Sequence, residues 1–156
     1  MLWYDLATSN NHKTTWQNPS DLTVTYSENG TTITKQEANS TWRYYWYNDP
    51  TISTVNVGNR YSIPVPFRIE FDVIAVTGSV ILDLFNNVSA EHIDNCVLPV
   101  GHITLIHDGI VCKALNDDVE FYSKAMGTDN VRLGFVLNNN NESITFKNFI
   151  IYNCKR

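Results

Sequence analysis

Aromatic side chains are concentrated in the segment Thr41–Tyr47, where five of seven residues are Trp or Tyr. In an extended strand, successive side chains point to opposite faces. One face of this segment would carry Trp42, Tyr44 and Trp46. The other face would carry Arg43, Tyr45 and Tyr47. We predict that the first, bulkier face is buried in a core and that the second is free to contact a ligand.

The second face combines aromatic rings that carry hydroxyl tips with one guanidinium group. The C–H groups of a sugar pack on an aromatic ring, while its hydroxyls bond to polar tips. The predicted ligand-binding residues are Arg43, Tyr45 and Tyr47, joined by Trp16 and Tyr122 if the fold brings them together. The alternative interpretation is that both faces are covered, one by a second sheet and one by loops.

The histidines do not have the spacing of a metal site. They are His12, His92, His102 and His107, and no two of them are four residues apart. The odd spacing of His102 and His107 places them on opposite faces of a regular strand. The chain also lacks the G-x-S-x-G motif of a serine hydrolase and a glycine-rich phosphate loop. We therefore predict no catalytic residues and no metal ligands.

The cysteines are Cys96, Cys112 and Cys154, without C-x-x-C spacing, which argues against zinc. They are predicted to be small buried residues, although one disulfide plus a free thiol is left open. No cofactor is predicted. A structural calcium ion is also left open, because sandwich proteins can hold Ca²⁺ between carboxylates and backbone oxygens. The candidate calcium ligands, which form no motif, are Asp5, Asp94, Asp117, Asp118 and Asp129.

Length and charge narrow the class of protein. The 156 residues fit a single domain spanning 1–156, with excision from a larger chain left open. A net charge of −5 and scattered Lys and Arg residues argue against nucleic acid as a partner. There is no apolar stretch near 18 residues, so we predict no insertion into a membrane.

Short alternating segments separated by turns predict an all-β fold. The 19 Asn and 15 Thr residues favour turns and strands, respectively. In Phe67–Val73 the apolar residues share one face and the charged residues share the other. Glu28-Asn29-Gly30 and His107-Asp108-Gly109 are typical of hairpin turns. We predict a two-sheet antiparallel jelly-roll sandwich of about ten strands.

The predicted core contains residues from both halves of the chain. It comprises Trp42, Trp46, Phe71, Val73, Leu82, Leu84, Leu133, Phe135, Phe146 and Ile151. Each of these lies at an apolar position of a predicted strand.

Three strand patterns resemble the concanavalin-like jelly-roll sandwiches of the laminin-G, lectin and glucanase superfamily. They are Arg68–Val73, the hairpin Ile103–Gly109 and the closing strand Ser143–Tyr152. More narrowly, the chain resembles Asn- and Thr-rich modules of surface adhesin-like proteins and of phage tail or baseplate proteins. The resemblance implies a sandwich fold, which hosts lectins, hydrolases and inert spacers alike.

The glucanases of this superfamily carry a Glu-x-Asp-x-x-Glu strand whose outer carboxylates act as nucleophile and acid. In Glu70-Phe71-Asp72-Val73-Ile74-Ala75 the first two acidic positions match, but Ala75 replaces the second Glu. We therefore predict that the chain is not an enzyme. Glu70 and Asp72 are instead expected on a solvated strand face with Arg68 as their neighbour.

The leading functional hypothesis is a non-enzymatic recognition module that binds a glycan or another surface polymer. Its expected location is extracellular, on a cell surface or virion, where other protein subunits are further candidate partners. One alternative is a structural or assembly domain of a phage tail or large surface protein. Another is a divergent glycoside hydrolase, which would need two carboxylates converging in a cleft.

Overall fold

A computed structural model of the protein describes residues 2–9, 16–17, 22–36, 43–47, 56–57, 60–86, 91–128 and 130–155. These residues form strands and turns and contain no helix. The strands are β1 (Leu2–Ser9), β2 (Trp16–Gln17), β3 (Leu22–Ser27), β4 (Gly30–Lys35), β5 (Arg43–Tyr47), β6 (Asn56–Val57), β7 (Arg60–Tyr61), β8 (Ile63–Pro64), β9 (Phe67–Thr77), β10 (Ile81–Phe85), β11 (His92–Val97), β12 (Gly101–His107), β13 (Val111–Asn116), β14 (Val119–Ala125), β15 (Asn130–Leu137) and β16 (Ser143–Lys155).

The strands form two main antiparallel sheets. The eight-stranded sheet has the order β14-β13-β12-β9-β16-β4-β3, and β1 also pairs with β16. The six-stranded sheet has the order β11-β10-β15-β5-β2, and β8 also pairs with β15. A separate pair consists of β6 and β7. The predicted all-β antiparallel sandwich is confirmed, with more strands than expected because several of them are only two residues long.

The core lies between the two sheets and is organised around Phe71 in β9. Its ring makes an edge contact with Phe135 of the six-stranded sheet, with a centroid separation of 5.7 Å. It also contacts Phe146 at 6.3 Å and Phe149 at 6.0 Å, both in β16. The alternation of β9 therefore points its apolar residues at the opposite sheet, as the sequence predicts.

Most of the predicted core is confirmed. The buried residues among those predicted are Phe71, Val73, Leu82, Leu84, Leu133, Phe135, Phe146 and Ile151. Trp42 and the side chain of Trp46 lie outside the described residues.

Both predicted hairpins are confirmed, and their geometry explains their sequences. Ser27 pairs with Gly30 across Glu28 and Asn29, and Gly30 has a φ of +116°. In the second hairpin, the Asp108 carboxylate accepts hydrogen bonds from the backbone N–H groups of Ile110 and Val111. A side-chain acceptor at this position satisfies backbone donors that the turn leaves outside the ladder.

Candidate ligand-binding face

The structure reverses the predicted facing of Tyr45 and Tyr47. Both side chains are 0% exposed and lie in the core. Tyr45 is paired with Phe135 in β15, and the ring of Tyr47 lies 5.3 Å from that of Phe149 in the opposite sheet. Because buried rings cannot stack on a sugar, the assignment of Tyr45 and Tyr47 to a ligand was wrong. Alternation identifies which residues share a face, but not which face is inside.

The other three predicted binding residues do not assemble into one described surface. Arg43 pairs with Leu137 and Trp16 pairs with Tyr47, but the side chains of Arg43 and Trp16 lie outside the described part of the chain. Tyr122 is in β14, in the eight-stranded sheet, where it is partly buried against the core. Its position in the other sheet corrects the prediction that it could join a surface built on β5.

An aromatic and charged group lies on the outer face of the six-stranded sheet. Phe85 in β10 is paired with His92 in β11 on one side and with Arg132 in β15 on the other. Leu84 next to it is buried in the core, so alternation puts Phe85 and its two partners on the outer face. We call Asp83, Phe85, His92 and Arg132 the Phe85 cluster.

The rings and the guanidinium of the Phe85 cluster are in contact. The ring centroids of Phe85 and His92 are 4.4 Å apart, with 45° between the planes. The Arg132 guanidinium carbon lies 4.6 Å from the Phe85 ring centroid. Such a cation–π contact preorganises a planar donor group beside an aromatic surface.

Asp83 holds the imidazole of His92 in place. The His92 Nδ1 atom lies 3.0 and 3.1 Å from the two carboxylate oxygens of Asp83. The Asp83 side chain is almost fully buried, whereas that of His92 is 40% exposed. The His92 carbonyl also accepts a hydrogen bond from Lys124 of β14, which ties β11 to the other sheet. Asp83 therefore positions a ring that solvent, and a ligand, can reach.

The Phe85 cluster was not among the predicted site residues. Its members come from three strands, and β11 was itself not predicted. The pattern that could have indicated this cluster is the alternation Leu82-Asp83-Leu84-Phe85, which puts a carboxylate and an aromatic ring on one face of a strand.

A second polar group lies on the outer face of the eight-stranded sheet. His102 in β12 is paired with Asp72 in β9, and its Nδ1 lies 2.7 Å from Asp72 Oδ1. Its Nε2 lies 2.9 Å from Glu70 Oε1. The predicted proximity of Arg68 and Glu70 is confirmed, with 3.3 Å from Arg68 Nε to Glu70 Oε2. We call Arg68, Glu70, Asp72, His102 and Asn148 the His102 cluster.

The carboxylates of the His102 cluster are occupied by neighbouring side chains. Asn148 donates its amide N–H to Asp72 Oδ2 at 2.8 Å. Burial raises the pKa of Asp72, but hydrogen bonds from Asn148 and His102 outweigh it and lower that pKa overall. The pKa of His102 is raised by its hydrogen bonds with Asp72 and then with Glu70, because only the protonated ring can donate to both carboxylates.

His102 should make the stability of the fold depend on pH. A histidine whose pKa is raised on folding stabilises the protein fully below its unfolded value of 6.5, and this contribution is lost as the pH rises through the folded value. We expect His102→Gln to destabilise the protein more at about pH 5.5 than at about pH 8.5. Chemical denaturation at the two pH values measures this difference, and an equal loss at both would contradict it.

The effect of pH on stability through His107 is opposite to that through His102. It is fully buried on the inner face, which confirms the predicted opposite facing of His102 and His107. Its Nδ1 accepts the backbone N–H of Gly109 at 3.0 Å, and burial lowers its pKa. The neutral His107 side chain therefore contributes its stability to the fold above the pKa of the unfolded chain. This stability is lost as the pH falls from the unfolded pKa towards the folded pKa. The His102→Gln comparison cancels this effect, because both proteins retain His107.

No group of three or more His, Cys, Asp or Glu side chains within the described ranges is arranged to hold a metal ion. Asp117, a candidate calcium ligand, accepts the backbone N–H of His102 at 3.2 Å. Cys96 and Cys112 are buried free thiols, as predicted for isolated cysteines, and burial raises the pKa of Cys96 to about 12. The described residues also include no helix that is long and apolar enough to cross a membrane.

Comparison with known proteins identifies the fold. No protein-family model and no curated protein matches the sequence. A solved structure of a family 29 carbohydrate-binding module variant in complex with cellulohexaose matches with a TM-score of 0.51 and 15% identity, over 97% of this chain and 90% of that one. A second variant of a family 29 module matches with a TM-score of 0.52 and 15% identity, over 97% of this chain and 91% of that one.

These matches extend over nearly the whole chain, but at 15% identity they bear on architecture alone. Family 29 modules have a concanavalin-like jelly-roll sandwich, so the broad resemblance drawn from the strand patterns is confirmed. The narrower resemblance to adhesin-like and phage tail modules stays a prediction. The chain has the β-sandwich jelly-roll fold that family 29 carbohydrate-binding modules have.

Proposed function

We propose that this protein is a non-enzymatic carbohydrate-binding module whose ligand lies on the outer face of the six-stranded sheet. The observation that carries this proposal is the Phe85 cluster, in which an aromatic ring is flanked by a guanidinium and an imidazole. A sugar ring can pack its C–H groups against the part of the Phe85 ring that His92 and Arg132 leave exposed, while its hydroxyls bond to Arg132 and His92. Asp83 keeps His92 in the orientation that this requires.

The six-stranded sheet continues from the Phe85 cluster towards β5, which is the next strand after β15. Trp46 of β5 is in backbone register with Gly134, which in turn is opposite Asp83.

The ligand class follows from charge and from the related structures. A net charge of −5 disfavours a polyanion, whereas a neutral glycan has no such penalty. One family 29 module of the same fold is solved in complex with cellulohexaose, which makes β-linked glucans the first ligands to test.

The side-chain contacts of Glu70 and Asp72 support binding without catalysis. Glycoside hydrolysis needs two carboxyl groups directed at the same glycosidic bond. In this structure Glu70 contacts Arg68 and His102, and Asp72 contacts Asn148 and His102. We also propose that the module acts outside the cell, on a cell surface or virion, where polymeric glycans are encountered.

Affinity measurements on the purified protein test this function. We expect cellohexaose, or another oligosaccharide from a panel of plant, microbial and animal glycans, to bind measurably by calorimetry. Phe85→Ala should weaken that binding by about 1–3 kcal/mol, since it removes the ring on which the sugar packs. Phe121→Ala is the matched control, because Phe121 is a 37% exposed aromatic residue of the other sheet.

Two binding results would contradict the proposal. One is the absence of binding to every glycan of the panel, which would favour a structural or assembly role. The other is an equal loss of affinity in Phe85→Ala and Phe121→Ala, which would place the ligand away from the Phe85 cluster. Release of reducing sugar from the panel would contradict the non-enzymatic assignment.

A further inference from the structure

A concavity of about 300 Å³ lies at the end of the eight-stranded sheet, between the β3–β4 turn and β16. The side chains that define its chemistry are Tyr26, Glu28, Lys147 and Asn148. Tyr26 belongs to β3 and Lys147 to β16, so the concavity is formed by the other sheet from the one that carries the Phe85 cluster. It is a separate feature of the molecule.

Two backbone features build this concavity. The first is Gly30, where an added Cβ would clash with the carbonyl oxygen of Phe146, so the turn lies directly against β16. The second is a bulge in β16, where the register with β9 shifts between Lys147 and Ile150 and Asn148 adopts a φ of +57°. Bulges re-aim side chains and are frequent beside functional sites.

The walls of the concavity combine one aromatic ring with hydrogen-bond donors and acceptors. Tyr26 is 39% exposed, a large fraction for a tyrosine on a sheet. A partly exposed ring of this kind offers an apolar face on which a ligand can stack.

The charges favour a neutral ligand. Lys147 supplies one cation and Glu28 one anion. A phosphate or carboxylate ligand would be attracted by Lys147 but repelled by the Glu28 carboxylate. A purely apolar ligand would leave the ammonium, carboxylate and amide groups desolvated. A hydroxylated ring satisfies both the aromatic wall and the polar groups.

We propose that this concavity, the Tyr26 pocket, binds a single neutral monosaccharide unit, independently of the Phe85 cluster. The sugar ring packs on Tyr26, and its hydroxyls bond to Glu28, Lys147 and the exposed edge of Asn148. Two sites on opposite sheets would let one domain engage two glycan chains, which raises the apparent affinity for a dense glycan surface.

Nuclear magnetic resonance titration tests the Tyr26 pocket directly. The ¹⁵N-labelled protein is titrated separately with glucose, mannose, galactose and xylose, and the amides of Gly30 and Asn148 are followed. We expect saturable shifts of both amides with at least one of these sugars. Tyr26→Ala should weaken this binding by at least about tenfold. Tyr26→Phe keeps the ring and should retain it.

The controls separate this proposal from the proposed function. Phe85→Ala should leave the titration at Gly30 and Asn148 unchanged, even if it abolishes binding of cellohexaose to the six-stranded sheet. Lys147→Met, a surface change, should weaken monosaccharide binding severalfold and serves if Tyr26→Ala does not fold. The proposal is overturned if none of the four sugars gives saturable shifts at these amides. It is also overturned if the folded Tyr26→Ala or Lys147→Met protein binds as the unaltered protein does.

Discussion

Replacing Phe71 by Ala is expected to lower the free energy of unfolding by about 3–5 kcal/mol. The Phe71 side chain is fully buried and contacts Phe135, Phe146 and Phe149. Its removal would leave a cavity between the two sheets that the surrounding rings can fill only partly. Urea denaturation, followed by intrinsic fluorescence, measures the loss.

The control for this prediction is Phe121→Ala, in which the ring removed is partly exposed on β14. We expect a change within about 0.5 kcal/mol for this surface substitution. Phe71→Leu keeps most of the side-chain volume, so its loss of unfolding free energy should lie between those of the other two variants. Equal midpoints for Phe71→Ala and Phe121→Ala would show that Phe71 does not hold the sheets together.

Tyr45→Ala is expected to be comparably destabilising, by about 3–5 kcal/mol, the range for removing a buried aromatic side chain. The reason is that Tyr45 is 0% exposed and lies opposite Phe135 in the interior of the six-stranded sheet. The direct effect on glycan affinity should be small under conditions in which the protein remains folded. Melting temperature and calorimetric affinity, measured on the same sample, separate the two effects.

Tyr45→Phe is the matched variant, because it keeps the ring and removes the hydroxyl. It should destabilise the protein much less than Tyr45→Ala, because the ring that fills the core is kept. If Tyr45→Ala instead left the melting temperature unchanged and abolished glycan binding, the ring would have to face the ligand, as the sequence pattern first indicated.

The fold could be predicted from the sequence wherever local patterns specify it. The alternation of Phe67–Val73 and the turns at Asn29-Gly30 and Asp108-Gly109 each determine a strand or hairpin locally. Strand β11 was missed because its residues do not alternate cleanly. Its register with β10 shifts between Leu82 and Leu84, and Asn95 within it has a φ of +61°.

The candidate site was harder to predict, because it depends on pairing between distant strands. His102 meets Asp72 only through the register of β12 with β9, and Phe85 meets Arg132 only through that of β10 with β15. Which face of β5 is buried also depends on pairing between distant strands. Its alternation was read correctly, but its pairing with β15 decides that Tyr45 is inside.

The most direct test of the account is to locate the glycan on the protein. Amide chemical shifts of the ¹⁵N-labelled protein are recorded during titration with cellohexaose, or with the best ligand of the glycan panel. We expect the largest shifts in β10, β11 and β15, around Phe85, His92 and Arg132. Shifts concentrated on the His102 cluster, or spread evenly without saturation, would contradict the assignment of the outer face of the six-stranded sheet as the glycan-binding surface.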